Sequence, residues 1–401
     1  MLLACASEYR AKVEAAGLLF RPVRPSFGDL ERALGMNRAQ LTDAVLDRGD
    51  FLLRRVIMPH VRESYEDMLD LLDGADLVLT SSLAFGARLA AERREVPWVA
   101  IVLQPLMFLS AFDPPEIPGA AWLSRLLRRW GPRPTAWAMR LVKFAVGRQL
   151  GAYHALRREI GLPPAALNPL FEGQFSELGA IGLYPALLGA AQDDHPRPTV
   201  IAGFPCFDSE DGAPASLDRA LEQFLAAGSA PLVFTLGSLI VNSPGAFYEV
   251  SLAAARLLGM RAILLVGEEA LAGYSAAAGA HLHVCAYAPH SLLFPWAAVV
   301  VHQGGIGTLG QALRSGRPQL IVPHYADQTD NAARAVRLGV ARSLLPARYA
   351  LDKVSRELEL LLGAPQYAAS ARRVGGVLAG QDGAAEAAAI VWDALESRFT
   401  P

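Results

Sequence analysis

Only three cysteines occur in 401 residues, and Cys5, Cys206 and Cys285 form neither a CxxC pair nor a cluster with histidine. That spacing excludes a disulfide framework and a thiolate metal site, and it predicts three reduced core residues. Net charge is equally scarce: 37 basic against 39 acidic residues leave a formal −2, so no global field gathers nucleic acid. No stretch offers about 20 uninterrupted apolar residues, the length that a membrane-spanning helix needs. The opening MLLACASEYRAKVE meets Glu8 and Arg10 before any adequate apolar signal core, and the expectation is a cytoplasmic protein. Disorder is excluded as well, because hydrophobic residues make up 52% of the chain and charged residues only 19%.

What is present is a rhythm. Apolar, β-branched runs alternate with longer helical patterns, the signature of parallel strands joined by helical crossovers, so the fold class is α/β. In the first half ADLVLTS (75–81) and PWVAIVL (97–103) read as buried strands, with FGARLAAERR between them as the crossover helix. In the second half PLVFTLGS (231–238), AILLVG (262–267), AAVVVHQ (297–303) and QLIVPH (319–324) repeat the pattern. The polar, proline-bearing stretch GAAQDDHPRPT (189–199) reads as a linker. The division expected is 1–190 for a first domain, 199–383 for a second, and a C-terminal helix over 384–401 that packs back on the first. No internal repeat or low-complexity tract occurs.

One segment departs from the average charge. From 125 to 158 the chain carries nine arginines and lysines without an acid, interleaved with Trp130, Trp137, Phe144 and Tyr153. Two readings stand. One is a solvated helical face; the other is a basic amphipathic surface for anionic lipid or an amphiphilic substrate.

The densest chemistry lies in 285–331. The strand AAVVV runs into His302-Gln303-Gly304-Gly305-Ile306-Gly307-Thr308 and then a helix. Glycines there bring the backbone close to a ligand, and the free amides of a helix N-terminus favour an anion such as phosphate. His302 and Thr308 flank the turn as hydrogen-bond donors; the plain alternative is a tight strand-to-helix turn with a capping threonine. One β-α unit later, Asp327 and Gln328 offer a carboxylate and an amide suited to several sugar hydroxyls, with Asn331 nearby. Here the plain alternative is an aspartate that caps the next helix. Upstream, Tyr287 on the proline-fixed loop YAPH can stack on a nucleobase, and Gly237-Ser238 closes the first strand of this domain, where it could add a hydroxyl to a diphosphate.

Taken alone, Gly305 to Gly310 also spells GxGxxG, with Asp327 about 20 residues later, as in dinucleotide-binding folds. The acid should close the next strand, however, and Asp327 lies beyond it.

Residues 287–341, from YAPHSLLF to RLGVA, resemble the donor-binding signature of the UDP-glycosyltransferase superfamily, closest to bacterial members acting on lipids, macrolides and other natural products, including rhamnolipid-type rhamnosyltransferases and erythromycin-type enzymes. The resemblance implies a GT-B fold, two Rossmann-like domains facing a cleft, and metal-independent inverting transfer. It implies a nucleoside-diphosphate sugar as co-substrate, no further cofactor, and a hydrophobic small-molecule or lipid acceptor. On this resemblance Tyr287 stacks on the base, and Pro289 and His290 sit beside base and ribose. His302, Gly304, Gly305, Gly307 and Thr308 bind the diphosphate, and Asp327 and Gln328 hold the hexose. Weaker similarity covers ASEYRAKVEAAGLLFRPV, as second strand and helix, and LQPLMFLSAFDPPEIPG, as an acceptor-side loop.

Two departures accompany it. The family's first strand, with a glycine-rich loop bearing the catalytic histidine, has no counterpart, and Ser81 and Ser82 stand where the orienting carboxylate belongs. The catalytic base is therefore unassigned: His60 sits in a helical context that suits surface or core. The expectation is a first domain lacking its N-terminal strand, through a misplaced start codon or in a genuinely altered protein. Two other functions remain as alternatives: a catalytically inactive homologue that activates a partner enzyme, and a dinucleotide-dependent oxidoreductase.

Overall fold

The apolar runs of the sequence form parallel strands in a computed structural model that describes residues 1–208, 215–241, 243–276 and 278–399. The side chains of 238, 239 and 397–399 lie outside the described residues. Two strands open the chain, β1 (Leu2–Cys5) and β2 (Leu19–Pro22), paired with each other in parallel. β3 (Val78–Ser81), β4 (Trp98–Val102), β5 (Ala180–Gly182) and β6 (Thr199–Ile201) follow as a parallel sheet in that order. The α/β expectation holds, with two compact units: Met1–Pro205 with residues 382–399, and residues 206–208 with 215–381.

The first unit packs the helix Phe85–Arg94 on β3 and against the helix Val61–Leu71. Gly86 permits that approach, because a Cβ there would fall 2.6 Å from both Ser64 Oγ and the Tyr65 nitrogen. The stretch 189–199, read from its prolines as a linker, belongs to this unit instead. The Asp194 carboxylate accepts Ser110 Oγ–H and Ala111 N–H, each at 2.6 Å, and the His195 ring stacks on Phe108 at 4.0 Å. Polar side chains fasten what the prolines keep from being helical, and the chain crosses at 206. The last helix, Gly383–Phe399, returns to the first unit, where Ala387, Ile390 and Val391 pack with Val99, Ile181 and Ala202. Gly383 lies against the Gly203 backbone, with no room for a Cβ.

The second unit is built on β7 (Leu232–Thr235), β8 (Ala262–Leu265), β9 (Leu282–Cys285), β10 (Val299–His302), β11 (Gln319–Ile321) and β12 (Ala341–Ser343). All pairs are parallel, in the order β12-β11-β10-β7-β8-β9. The order runs outward in opposite directions from the β7–β10 pair, so the loops leaving these two strands diverge and open a crevice at their C-terminal ends. Helices cover both faces of such a sheet, and the continuous apolar runs follow from that: Leu232, Val233, Phe234, Val299, Val300 and Val301 are fully buried.

Candidate functional site

Several residues singled out from the sequence converge at this switch point. β7 ends at Thr235 and turns through Gly237, whose φ of +67° suits glycine, and a Cβ there would lie 2.2 Å from Gln303 Nε2. β10 ends at His302 and turns through Gly304, with φ of +87°, into the helix Ile306–Arg314. Gly304 is tied in equally closely, since a Cβ would meet Ile321 Cγ2 at 2.7 Å. No side chain caps the helix at Gly305, and its first return bond is Leu309 N–H to the Gly305 carbonyl. The amides of 306–308 are thus left for an anion. Around Gly307 a Cβ would meet nothing within 4 Å, so the helix end opens onto space. The side chain of Ser238 lies outside the described residues.

His302 lies beneath the turn. It is completely buried, its Nδ1 accepts Gly304 N–H at 3.1 Å, and its Nε2 faces Gln319 Oε1 at 3.0 Å. Because the Gly304 amide can only donate, the ring is neutral with its proton on Nε2. Burial lowers its pKa to about 4, helped by His290 and opposed by the Gln319 hydrogen bond. Both nitrogens are engaged within the protein, so the phosphate-donor role expected of His302 gives way here to holding the turn. Thr308, nearly buried, remains at the ligand end, where its hydroxyl accepts from Gln303 Nε2 at 3.4 Å. The Gln303 Oε1 is buried with no partner among the described residues.

The acidic element lies alongside. Asn331, fully buried, donates through Nδ2 to the Gly304 carbonyl at 3.0 Å and to Asp327 Oδ2 at 2.6 Å. One amide therefore joins the glycine turn to the carboxylate. Asp327 stands at the start of the helix Gln328–Arg337 but makes no capping bond, which removes the capping explanation. Burial raises its pKa to about 6, with the Asn331 hydrogen bond opposing and Asp330 adding to the rise. Just before it, Ala326 has φ of +52°, a left-handed conformation costly for alanine and frequent at ligand sites. The Gln328 Oε1 accepts the His324 and Tyr325 amides at 2.8 and 3.3 Å, so its oxygen fixes the loop rather than meeting a ligand.

A second cluster holds Tyr287, Pro289 and His290. Tyr287 is 43% exposed, with its ring 5.9 Å from that of His290, which stacks on Phe294 at 4.4 Å. Pro289 precedes the short helix His290–Leu293. Burial lowers the His290 pKa to about 4, with Asp208 opposing. Asp208 was invisible to sequence reasoning, yet it accepts Ser291 N–H at 2.6 Å and Gln311 Nε2 at 2.7 Å, and its carbonyl accepts the Tyr287 hydroxyl at 3.3 Å. Gln311 lies on the helix that leaves the glycine turn, which connects the two clusters. Gln303 was also missed, although it sits within the HQGG motif; Asp208 has no local pattern to give it away.

These features define a two-unit α/β protein with a ligand crevice at the switch point of its second sheet. The family profile described as the erythromycin biosynthesis protein CIII-like C-terminal domain matches residues 260–393. The chain is 30% identical over 422 residues to the O-mycaminosyltylonolide 6-deoxyallosyltransferase of Streptomyces fradiae, covering 100% of this chain and 92% of that protein. Solved structures share the fold. The calicheamicin glycosyltransferase CalG4 gives a TM-score of 0.66 at 17% identity, over 100% of this chain and 91% of that one. The spinosyn rhamnosyltransferase SpnG complexed with thymidine diphosphate gives 0.59 at 18%, over 95% and 88%. The chain belongs to the GT-B family of natural-product glycosyltransferases.

Proposed function

We propose that this protein transfers a hexose from a nucleoside-diphosphate sugar, with UDP or TDP as carrier, to a hydroxyl of a hydrophobic natural-product or lipid acceptor. The transfer inverts the anomeric carbon and uses no metal, and the sugar nucleotide is the sole co-substrate. The observation that carries this reading is the double hydrogen bond of Asn331, which puts a carboxylate one side chain away from an anion-binding turn. A bare phosphate site has no use for that neighbour; a phosphate bearing a sugar does.

In the reaction the acceptor oxygen attacks C1 while the bond from C1 to the phosphate oxygen breaks, and the diphosphate leaves with the electron pair. The amides of 306–308 and the Thr308 hydroxyl face the charge that develops there, the arrangement that most lowers such barriers. Attack opposite the leaving group inverts the centre. Asp327 accepts from hexose hydroxyls, Gln328 contributes its amide nitrogen, and His302, Gly304 and Asn331 hold the geometry. Tyr287 stacks on the base, with Pro289 and His290 beside base and ribose, and Gly237 closes the crevice from β7. The acceptor side supplies the base, and no residue is assigned to it.

A thermal-shift panel of UDP, TDP, GDP and NAD tests the proposal, because stabilisation follows ligand concentration over dissociation constant. UDP or TDP should raise the melting temperature and NAD should not; stabilisation by NAD alone would restore the oxidoreductase reading. Against that reading, Asp327 lies at the start of a helix instead of the end of β11. Incubation with the stabilising sugar nucleotide and a hydroxylated macrolide or lipid then separates an enzyme, which releases the nucleoside diphosphate, from a partner-activating homologue, which binds without turnover.

A further inference from the structure

The helices Ala121–Trp130 and Pro132–Gly147 form a hairpin that turns at Gly131, closed by Thr135 Oγ1 donating to the Leu127 and Gly131 carbonyls at 3.0 and 2.8 Å. Ser124, Leu127, Thr135 and Met139 are its buried side. The opposite side leaves large apolar side chains in water: Trp122, Trp130, Trp137, Leu141 and Phe144 are each 55% or more exposed. At helical spacing Trp137, Leu141 and Phe144 fall on one stripe, and Arg133, Arg140 and Arg148 are exposed along it. Arg125, Arg129, Arg133, Arg140 and Arg148 form no ion pair with a carboxylate among the described residues, whereas Arg128 and Lys143, less exposed, pair with Glu116 and Glu172.

Several large apolar side chains exposed together on one hairpin mark an interaction surface, and the arginines among them say with what. We propose that the hairpin docks the protein peripherally on a bilayer containing anionic phospholipid. Lipid phosphates would neutralise the unpaired guanidinium groups, while the indole and phenyl rings enter the boundary between headgroups and acyl chains, where tryptophan is favoured. A second copy of the chain would bring two cationic faces together. A nucleic acid could use the rings and arginines but not the aliphatic Leu141 and Val142 between them. Behind the same helix, Ala136, Met139, Arg140 and Lys143 line a cavity of 510 Å³ of mixed character, with Phe108, Leu109 and Phe175 on one hand and Glu172, Asp194 and His195 on the other.

The test is co-sedimentation of the whole protein with phosphatidylcholine vesicles, with and without phosphatidylglycerol. The expected result is binding only with phosphatidylglycerol, weakened by salt. The double variant Arg133→Gln, Arg140→Gln should bind about thirtyfold more weakly, at the usual contribution per cation near an anionic surface. Trp137→Ala with Phe144→Ala should also release the protein, and brominated lipid should quench wild-type tryptophan emission. Unchanged melting temperatures would show that both variants fold. Equal binding to the two vesicle types, binding to neither, or binding that survives both double variants overturns the proposal. So does a self-association or RNA affinity that the variants abolish while vesicles bind nothing.

Discussion

The two units differ in how deeply their sheets are buried. In the second, the central strands are fully buried, and the polar residues His302 at the end of β10, Gln319 at the start of β11 and Asn331 on the following helix are buried as completely. In the first, the strands fall into a pair and a set of four, and Leu2, Leu3, Leu19 and Leu79 are each 39% or more exposed. A diphosphate asks for backbone amides at fixed positions, and fixed backbone asks for glycines with no space for a side chain and for buried amides that hold each turn. An apolar acceptor asks only for shape and water exclusion, which many side chains supply.

That contrast is broken most directly at Gly307. A Cβ at Gly307 would meet nothing within 4 Å, so Gly307→Asp is expected to bring a carboxylate beside the diphosphate at the helix N-terminus. The new carboxylate competes for the positive helix end and repels the phosphate, which should weaken TDP or UDP binding about a hundredfold, roughly 2.7 kcal/mol, by calorimetry. Gly307→Ala should be nearly neutral, and an aspartate variant that binds normally would place the phosphate elsewhere. In the first unit the matching probe is Gly86→Ala, whose Cβ would press on Ser64 and Tyr65. It should cost about 1–3 kcal/mol in urea unfolding and leave nucleotide affinity untouched. A parallel loss of affinity would show that the units are not separable. Smaller again is Asn331→Ala, which leaves the Gly304 carbonyl and Asp327 without their shared donor; binding of the sugar nucleotide should fall about tenfold, the scale of one buried hydrogen bond, and more than binding of the bare nucleotide.

The sequence made the second unit legible because its constraints are local. Strands β7, β8, β10 and β11 are apolar runs, and the HQGGIGT turn is a short motif with one physical reason. β9 was missed because His283 breaks the apolar run of LHVC, and β12 because its three residues are Ala341, Arg342 and Ser343. The roles of His302 and Gln328 were harder: residue type shows that a side chain can donate, but only coordinates show that its nitrogens or oxygen are already engaged. Asp208, 103 residues from its partner Gln311, is out of reach of any local pattern. The crossing at 206 was misplaced for a similar reason, since prolines announce an irregular segment and not which unit will hold it.

The finest distinction between the units should appear with pH. Burial holds the Asp327 pKa at about 6, above its ordinary value of 3.8, and the His302 and His290 pKa values at about 4, below their ordinary 6.5. Between pH 4 and 6 the native aspartate carries a proton that the unfolded chain has released, so its contribution to stability rises as pH falls through about 6. The two histidines act in the opposite sense, because the unfolded chain takes up protons that the native rings refuse, and their contribution is lost as pH falls from 6.5 towards 4. Asp327→Asn removes only the first effect, so its stability should decline more steeply with acid than that of the wild type. Function supplies a second readout of the same group. Only the ionised carboxylate accepts from sugar hydroxyls at both oxygens, so the preference for a sugar nucleotide over the bare nucleotide should grow several-fold as pH rises through about 6. In Asp327→Asn that preference should be flat. Identical stability slopes in the two proteins, together with a preference that ignores pH in both, would remove Asp327 from the sugar site and leave the second unit with a phosphate turn alone.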